Sequence, residues 1–358
     1  MPAFWTEADF DAHEAVEVVH DRASGLTAIL AIHSTHRGPA AGGTRFWHYA
    51  DPALAMRDAL RLSRGMSYKN AMAGLPVGGG KAVILADPAR TKTPALIAAF
   101  GDAIQALGGR YITAEDVGMT VADMVAIADR TKYVSGLPVA GGEAGQNRAG
   151  GDPGPFTAHG IYLGLKAAVA HKLGRASVAG VHVAVQGTGS VGGTLARLLA
   201  ADGAKLTLAD VDAARAAALA AALGAEVVGA DAIMDVACDV FSPNALGAIL
   251  DDVGIARLRA PIVAGGANNQ LARAGHGAVL AARGILYAPD YVINAGGIIN
   301  VTLEYLAREQ GGDANRTAVD AAIAEIPGRL SAIWRTSETT GESSDAVADR
   351  MAQALIGR

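Results

Sequence analysis

The segment VHVAVQGTGSVG (residues 181–192) decides the fold that this sequence predicts, because an apolar run leads directly into a glycine-rich turn. The residues TLARLL (194–199) that follow are good helix formers, so the pattern indicates a strand, a tight turn and a helix in succession. In that context GxGxxG is typical of a dinucleotide-binding turn, in which the glycines permit the turn, admit a pyrophosphate and let the helix pack on the strand. The predicted phosphate-binding residues are Gly187, Thr188, Gly189, Ser190, Val191 and Gly192.

An acidic residue follows the next predicted strand at the distance that such a site requires. Asp210 comes 23 residues after Gly187 (187 to 210). A carboxylate there accepts hydrogen bonds from the adenosine ribose and repels a 2′-phosphate, so we expect NAD rather than NADP. The alternative is that Asp210 serves as a helix N-cap or turn carboxylate, a role for which Asp212 competes.

Strands and helices alternate along the second half of the chain. Strands are predicted at 181–186, 205–209, 239–241, 261–264 and 284–287, with helices at 190–202 and 212–223 between the first of them. This alternation is typical of a parallel sheet covered by helices on both faces. The first half mixes strands, such as 82–85 and 111–113, with helices that open at the Asp-Pro and Thr-Pro pairs 51–52 and 93–94, the first running to about residue 63. We therefore expect an α/β protein of two domains.

Composition and charge exclude several classes of protein. At 358 residues, with 51% hydrophobic and 18% charged residues, the chain can bury two cores. The net charge of −5 does not favour nucleic-acid binding, and no segment reaches the roughly 20 apolar residues that cross a bilayer. The single cysteine, Cys238, excludes a disulfide framework and a cysteine-based zinc site. We expect a cytoplasmic protein without metal, nucleic-acid or membrane partners.

Three segments of the first half concentrate polar groups among apolar residues. They are GPAAGGTR (38–45), MSYKNAMAGLPVGGGK (66–81) and TAEDVG (113–118). Lys81 is flanked by three glycines and an apolar run, where desolvation would lower its pKa and suit it to accept a proton. Lys69 also lies in a largely apolar run and needs an anionic partner, for which a substrate carboxylate would serve. For Asp116, a purely structural ion pair with one of these lysines is the alternative to a catalytic role.

Together with PFTAHG (155–160), AGGANNQL (264–271) and DYVINAGGIINV (290–301), these motifs resemble the Glu/Leu/Phe/Val dehydrogenase family over roughly residues 10–330, most closely its leucine and phenylalanine dehydrogenase branch. The resemblance implies NAD-dependent, reversible oxidative deamination of an L-amino acid to a 2-oxo acid and ammonia. It implies an N-terminal α/β substrate-binding domain (1–140) that C-terminal helices (330–358) complete. A doubly wound, Rossmann-type dinucleotide-binding domain (150–329) would follow, with a cleft between the two. Members of the family generally form homo-oligomers.

The resemblance also assigns roles to individual residues. Lys69, assisted by the backbone at Gly42 and Gly43, would bind the substrate carboxylate; Lys81 would activate water, and Asp116 would exchange protons with the amino nitrogen. Thr157, Asn268 and Asn294 would frame the nicotinamide and the substrate, although an asparagine is often only a turn residue. Val211, Asn244 and Ala245 complete the predicted dinucleotide site.

The positions that select the substrate predict an apolar amino acid. Ala41 stands where glutamate dehydrogenases of the family carry lysine, and Val301 where they carry a hydroxyl residue, so glutamate is disfavoured. Ala41, Ala114, Ile298 and Val301 would line an apolar pocket. We favour leucine, valine or isoleucine, because EDVG and INAGGIINV resemble the leucine branch. An aromatic substrate is the alternative, since phenylalanine dehydrogenases share GPAAGG. A non-catalytic NAD-binding sensor or scaffold is the second alternative.

Overall fold

The computed structural model describes residues 3–87, 92–138, 150–312 and 315–358, and these residues contain two β-sheets. Each sheet is the centre of one of two units. Unit 1 comprises Met1–Asp152, Ile299–Val319 and Ala352–Arg358, and unit 2 comprises Pro153–Ile298 and Asp320–Met351.

Unit 1 contains a mixed five-stranded sheet. Its strands β1 to β5 span Ala15–Asp21, Leu26–Ser34, Ala40–Trp47, Gly78–Leu85 and Tyr111–Glu115. Its first helices, α1 to α3, span Pro52–Met72, Pro94–Ala106 and Val121–Ala128. The strand order is β1-β2-β4-β3-β5, in which β2 is antiparallel to β1 and β4, whereas β3 is parallel to β4 and β5. The carboxyl ends of β3, β4 and β5 therefore lie at one edge of the sheet.

Helices cover both faces of this sheet, because alternate residues of β2 face opposite sides. Leu26, Leu30 and Ile32 pack with Phe100 of α2 and residues of α3. On the other face, Ile29 and Ala31 pack against two alanines of α1, Ala55 and Ala59. These small residues let α1 lie close to the strands.

Helix α1 begins where the sequence predicts and ends later. The Asp51 carboxylate caps it by accepting a hydrogen bond from the Ala53 N–H, and Pro52 occupies its first turn. The helix was predicted to end near Ser63, but it continues to Met72 because the first left-handed glycine, Gly74 (φ +74°), comes only after that residue. The residues YKNA (68–71) are therefore helical.

Unit 2 contains a six-stranded sheet in which every pairing is parallel. Strands β6 to β11 span His182–Gln186, Lys205–Ala209, Glu226–Val227, Val240–Pro243, Ile262–Val263 and Leu286–Tyr287. Helices α4 to α9 span Gly154–Leu173, Ser190–Ala201, Ala213–Leu223, Asp252–Arg257, His276–Ala282 and Asp290–Ile293. The strand order β8-β7-β6-β9-β10-β11 is that of a doubly wound dinucleotide-binding sheet, with its switch point between β6 and β9. The predicted α/β fold class, with a Rossmann-type parallel sheet, is confirmed.

The last four helices are shared between the units: residues 299–319 and 352–358 belong to unit 1, and residues 320–351 belong to unit 2. Helices α10 to α13 span Gly296–Glu309, Arg316–Ile323, Ile326–Thr340 and Ser344–Leu355. The apolar and helix-forming residues at 315–334 predict one helix, but the segment forms two, α11 and α12. Pro327 lies in the first turn of α12, where its missing N–H costs no hydrogen bond, whereas in a helix interior it would break the ladder.

A buried histidine makes the stability of unit 1 depend on pH. His33 of β2 is fully buried; its Nδ1 lies 2.8 Å from Ser67 Oγ, and its Nε2 lies 2.8 Å from an Arg358 guanidinium nitrogen and 3.1 Å from Asp11. Burial, reinforced by the Arg358 charge, lowers its pKa to about 4. The unfolded chain, with an ordinary histidine pKa near 6.5, therefore binds more protons between these values.

We expect the free energy of unfolding to be fully developed above pH 6.5 and to fall by up to about 3 kcal/mol as the pH approaches 4. A His33→Asn variant should lose less over the same interval. Denaturant unfolding at pH 5 and pH 7.5 measures both slopes, and His20→Asn, which replaces an exposed histidine, is the control. Equal slopes in the wild type and His33→Asn would contradict the prediction.

Candidate active site

Lys81 lies in the middle of β4, with its side chain almost fully enclosed. It is 6% exposed and faces Ala31 of β2 in the strand register. Its ammonium group donates a short hydrogen bond to Asp116 Oδ2 and forms an ion pair with that carboxylate. Two of the predicted catalytic residues, 35 positions apart in the sequence, thus meet in the structure.

Asp116 follows directly after β5, at the edge of the sheet where β3 and β4 also end. A side chain at Gly43 of β3 would lie 2.8 Å from Asp116 Cβ and 2.8 Å from the carbonyl oxygen of Glu115. Only glycine therefore allows β3 to pass this close, and the GG pair of the GPAAGGTR motif fixes where the carboxylate stands.

The ionisation of the two groups is coupled. Burial lowers the pKa of Lys81, and the negative charge of Asp116 offsets this only in part. Burial alone would raise the pKa of Asp116, but the charges of Lys81 and Arg45 outweigh it and hold this pKa below its usual value. A lysine with a lowered pKa can give and take a proton near neutral pH, which is what a general base requires.

Helix α1 lies directly against β4 at the glycine run. A side chain at Gly79 would lie 2.0 Å from the Ser67 backbone nitrogen, so the close contact requires glycine. Asn70, fully buried, donates to the carbonyl oxygens of Ala41 (3.2 Å) and Gly78 (2.6 Å) and so ties α1 to both strands. Lys69, the half-buried predicted carboxylate ligand, is held next to this anchor. Sequence reasoning missed Asn70, although it lies inside the quoted YKNA motif.

The residues of the predicted apolar pocket fall on three elements. Ala41 (6% exposed) and Ala114 (7% exposed) are buried on the neighbouring strands β3 and β5. Val301 belongs to the part of α10 in unit 1 and lies 3.5 Å from the position that a side chain at Gly136 would take. Ile298 belongs to unit 2.

A second cation touches the carboxylate of the pair. Arg45 Nε lies 3.4 Å from Asp116 Oδ2, and Arg45 Nη1 lies 2.8 Å from Asp58 Oδ2. Sequence reasoning assigned no role to Arg45 or Asp58. Arg45 is the last residue of the motif GPAAGGTR, so the sequence did draw attention to it. Its partner on α1 is visible only in the folded chain.

The glycine-rich turn of unit 2 has the form that the motif predicts. Gly187 is left-handed (φ +86°), and a side chain there would lie 2.9 Å from the backbone of Asn244. The turn after β6 and the residues Asn244 and Ala245 after β9 thus meet at the switch point of the sheet. A side chain at Gly189 would meet no described atom within 4 Å, which leaves room for a ligand beside the N-terminus of α5.

Asp210 and Asp212 have separate tasks. Asp212 caps α6 by accepting from the Arg215 N–H, so Asp210 is not the N-cap. Asp210 Oδ1 accepts from the Asp212 N–H at 2.9 Å, as the turn-carboxylate alternative predicts. Asp210 accepts from the backbone N–H (2.6 Å) and hydroxyl (2.9 Å) of Thr188, and it forms an ion pair with Arg215 (2.6 Å). Burial would raise its pKa, but the hydrogen bonds from Thr188 and Asp212 dominate and keep this pKa far below its usual value. Its neighbour Val211 is 92% exposed.

A cavity of about 450 Å³ opens beside the turn, between α5 and α6. It is lined by Thr188, Gly189, Ser190, Thr194, Arg197, Arg215, Ala218, Leu219 and Ala222. Two arginines in this lining were not anticipated from the sequence.

The predicted nicotinamide residues form a small network within unit 2. The Asn294 amide donates to Asn268 Oδ1 (2.8 Å) and to the Gly266 carbonyl oxygen (3.1 Å). Among the described residues the buried Asn294 Oδ1 has no hydrogen-bond partner, so its capacity to accept a hydrogen bond is unused. Thr157 lies at the start of α4, 2.5 Å from the position of a side chain at Gly297. An orphaned acceptor and an open turn both fit a nicotinamide dinucleotide.

The described residues contain neither a cluster suited to a metal ion nor a membrane-spanning helix. No group of three or more histidine, cysteine, aspartate or glutamate side chains could hold a metal ion. In the same part of the chain, no helix combines the length and apolarity needed to cross a membrane.

Comparison with known proteins shows the class to which this chain belongs. The family model described as "Glu/Leu/Phe/Val dehydrogenase, dimerisation domain" matches residues 11–133, and the model for glutamate, leucine, phenylalanine and valine dehydrogenases matches residues 207–356. These matches define an amino acid dehydrogenase, an oxidoreductase. The chain belongs to the Glu/Leu/Phe/Val dehydrogenase family, as its motifs predict.

Individual relatives match nearly the whole chain. Leucine dehydrogenase of Thermoactinomyces intermedius is 47% identical over 344 residues, 96% of this chain and 91% of the relative. Valine dehydrogenase of Streptomyces albus is 44% identical over 349 residues, 97% of this chain and 93% of the relative. The crystal structure of L-tryptophan dehydrogenase from Nostoc punctiforme superposes with a TM-score of 0.82 at 40% identity, covering 96% of each chain.

Proposed function

We propose that this protein catalyses the reversible, NAD-dependent oxidative deamination of an apolar L-amino acid to the 2-oxo acid and ammonia, with leucine, valine or isoleucine favoured. The observation that carries the proposal is the enclosed Lys81–Asp116 pair, whose lysine has a lowered pKa. Relatives named leucine and valine dehydrogenase support the same class of substrate.

Each unit has its own task in this proposal. Unit 1 binds the amino acid, and unit 2 binds the dinucleotide through the turn at 187–192, Asp210 and Asn294. The expected substrate domain (1–140 with 330–358) and dinucleotide domain (150–329) differ from these units, because residues 299–319 belong to unit 1 and residues 320–351 belong to unit 2. When bound, the nicotinamide supplies the acceptor for the hydride that leaves Cα.

The residues of unit 1 carry out the proton chemistry. Lys69 binds the substrate carboxylate and so orients Cα. Asp116 takes a proton from the substrate ammonium and later returns one to the departing ammonia. Lys81, as the neutral amine, takes a proton from the water that adds to the imine carbon. Because burial favours the neutral amine, this step gains from the same enclosure that excludes bulk water.

Aliphatic and aromatic substrates both have support. Ala41 and Val301 carry no polar group and so favour an apolar side chain over a carboxylate. The small Ala41 and the 40% identical tryptophan dehydrogenase support the aromatic alternative, with phenylalanine its expected substrate. A single methylene changes discrimination only about 10–200-fold, so a broad preference within the apolar class is expected.

One assay tests the reaction and the substrate together. The protein is incubated with NAD and, separately, leucine, valine, isoleucine, phenylalanine, tyrosine, tryptophan and glutamate at alkaline pH, and the absorbance of reduced nicotinamide is followed. We expect the highest kcat/KM with a branched aliphatic amino acid and little or no turnover of glutamate. A higher kcat/KM with phenylalanine supports the aromatic alternative. Binding of NAD without turnover of any amino acid supports the sensor or scaffold alternative and contradicts the enzyme.

Asp210 supports NAD as the cofactor, because an acidic residue after the second strand of such a sheet disfavours the negative charge of a 2′-phosphate. One observation favours NADP instead: Arg215, which pairs with Asp210, lines a cavity together with Arg197, and two arginines suit a phosphate. We expect the wild-type kcat/KM with NAD to exceed that with NADP.

An Asp210→Ala variant should lower this preference by about 10- to 100-fold, because charged hydrogen bonds to the ribose are lost and Arg215 is released towards the phosphate. Steady-state kinetics measures the ratio of kcat/KM with NAD to kcat/KM with NADP, for the wild type and for Asp210→Ala. Asp212→Ser, which removes the neighbouring charge but keeps a helix-capping hydroxyl, is the control. A wild-type enzyme that used NADP as well as NAD would favour the arginine-lined alternative.

We also propose that the protein is a cytoplasmic homo-oligomer without nucleic-acid or membrane partners. The family model that covers residues 11–133 is described as a dimerisation domain, which supports association of copies through unit 1. Light scattering of the purified protein tests the oligomeric state.

A further inference from the structure

We propose that Arg45 is a positioning residue of the reaction, which holds Asp116 in place against Lys81 and keeps Lys81 ready to act as a base. The inference rests on the proposed function, because it concerns the residue pair that carries that function. Arg45 itself is assigned no contact with substrate or cofactor.

The geometry places Arg45 between two carboxylates. Asp116 Oδ2 accepts hydrogen bonds from both Lys81 and Arg45, so the same oxygen is held from two directions. On its other side the guanidinium donates to Asp58 Oδ2 at 2.8 Å. The result is an alternating chain of charges, in the order Lys81, Asp116, Arg45, Asp58, that runs from β4 through β3 to α1.

The far end of this chain is itself anchored. The Tyr49 hydroxyl donates to Asp58 Oδ2 at 2.8 Å, and Arg61 donates to Asp58 Oδ1 at 3.1 Å. The side chains of Arg45 and Asp58 are only 22% and 19% exposed, so water screens their interaction weakly. Arg45 is therefore held at both ends, which keeps its charge next to Asp116 and restricts the rotation of that carboxylate.

The charge of Arg45 also bears on Lys81. A guanidinium stays protonated throughout the working pH range, so it is a permanent positive charge close to a lysine that must become neutral to act as a base. The groups whose charges act on Lys81 are Asp116 after β5, Arg45 on β3 and Asp58 on α1. Helix α1 also carries Lys69, whereas β2 presents the uncharged Ala31 opposite Lys81. Of the charges of Asp116, Arg45 and Asp58, that of Arg45 favours the neutral amine of Lys81.

The experiment compares Arg45→Met and Arg45→Lys with the wild type. The methionine removes the charge and keeps much of the bulk, and the lysine restores a charge without the two-sided guanidinium. Arg57→Met is the matched control, because Arg57 is an exposed arginine of the same unit that pairs with Glu7 instead.

Two readouts follow the ionisation of Lys81. The first is the pH profile of kcat/KM for deamination, whose acid limb reports the loss of a proton from the base. The second needs no turnover: trace acetylation with acetic anhydride at a series of pH values, with the label on Lys81 measured by mass spectrometry. Since the reagent attacks only the neutral amine, the midpoint of labelling gives the pKa whatever the accessibility of the side chain.

In Arg45→Met we expect both midpoints to move up by about one pH unit, with kcat at neutral pH falling about tenfold and KM for the amino acid changing less than about threefold. In Arg45→Lys, which keeps a positive charge, both midpoints should lie close to those of the wild type. In Arg57→Met they should equal the wild-type midpoints.

A labelling midpoint in Arg45→Met within about 0.3 pH unit of the wild type would overturn the proposal, as would an equal shift in Arg57→Met. If Arg45→Met does not fold, Arg45→Gln, which also removes the charge, takes its place: an upward shift of its labelling midpoint supports the proposal, and an unchanged midpoint overturns it. If the wild type turns over no amino acid but Arg45→Met still shows the expected labelling shift, the proposed function is refuted. The action of Arg45 on Lys81 is then still supported.

Discussion

Replacing Lys81 with alanine is expected to lower kcat for oxidative deamination by a factor of about 10² to 10⁴, the usual contribution of a positioned general base. The amine is the enclosed group that can take a proton from the attacking water, and the methyl group of alanine cannot replace it. Steady-state kinetics with NAD and the best amino acid, from pH 7 to pH 11, measures the loss.

The variant is expected to fold, because Asp116 keeps Arg45 as a partner and is not left as an unpaired buried charge. Thermal unfolding checks this. Lys132→Ala removes an exposed lysine of the same unit (63% exposed) and should leave kcat unchanged. A Lys81→Ala enzyme within threefold of the wild-type rate would exclude Lys81 as the base.

Changing Asp116 to asparagine is the second change with a large expected effect, a loss of about 10² to 10³ in kcat. The amide keeps the shape of the carboxylate but can neither accept the proton of the substrate ammonium nor balance the charge of Lys81. Without its counter-ion, Lys81 is held in the neutral form over a wider range, because burial is no longer opposed.

The residual activity of Asp116→Asn should therefore have an acid limb at lower pH than the wild type. This direction is opposite to the one expected for Arg45→Met, so the two variants together separate the contributions of the two charges. Asp102→Asn, which removes a half-exposed carboxylate paired with Arg130, is the control. An unchanged acid limb in Asp116→Asn would mean that the carboxylate does not set the ionisation of Lys81.

The parts of the fold that depend on neighbouring residues could be read from the sequence. The strand, turn and helix around Gly187 follow from residues within a dozen positions of one another, and so does the Asp51 cap of α1. The end of α1 was missed because Gly65 carries the same glycine signal as Gly74, and only packing decides that the chain stays helical past the first and ends near the second.

The candidate site depends on contacts between distant residues. Nothing in the spacing of Lys81 and Asp116 requires that they meet; they do so because β4 and β5 pair with the two sides of β3. The resemblance of the motifs to a known family pointed to the pair, and the roles assigned to its members stay predictions. Arg45 lies in a quoted motif but was assigned no role. Its ion pair with Asp58 is visible only in the folded chain, because the sequence shows Asp58 only as one acid on the surface of a helix.

The contacts of Arg358 have a consequence for how the protein is made. Its guanidinium donates to the backbone carbonyl oxygens of Ala12 and His33, which lie 346 and 325 positions earlier in the chain. Unit 1 is built from three separated segments, and about 200 residues (152 to 352) lie between the end of its first segment and the start of its last. At about 5–20 residues per second, the ribosome needs roughly 10–40 s to cover that distance. During this time the nascent first segment lacks the arginine that ties Ala12 to His33 of β2, so this interval is when the chain is expected to depend most on chaperones.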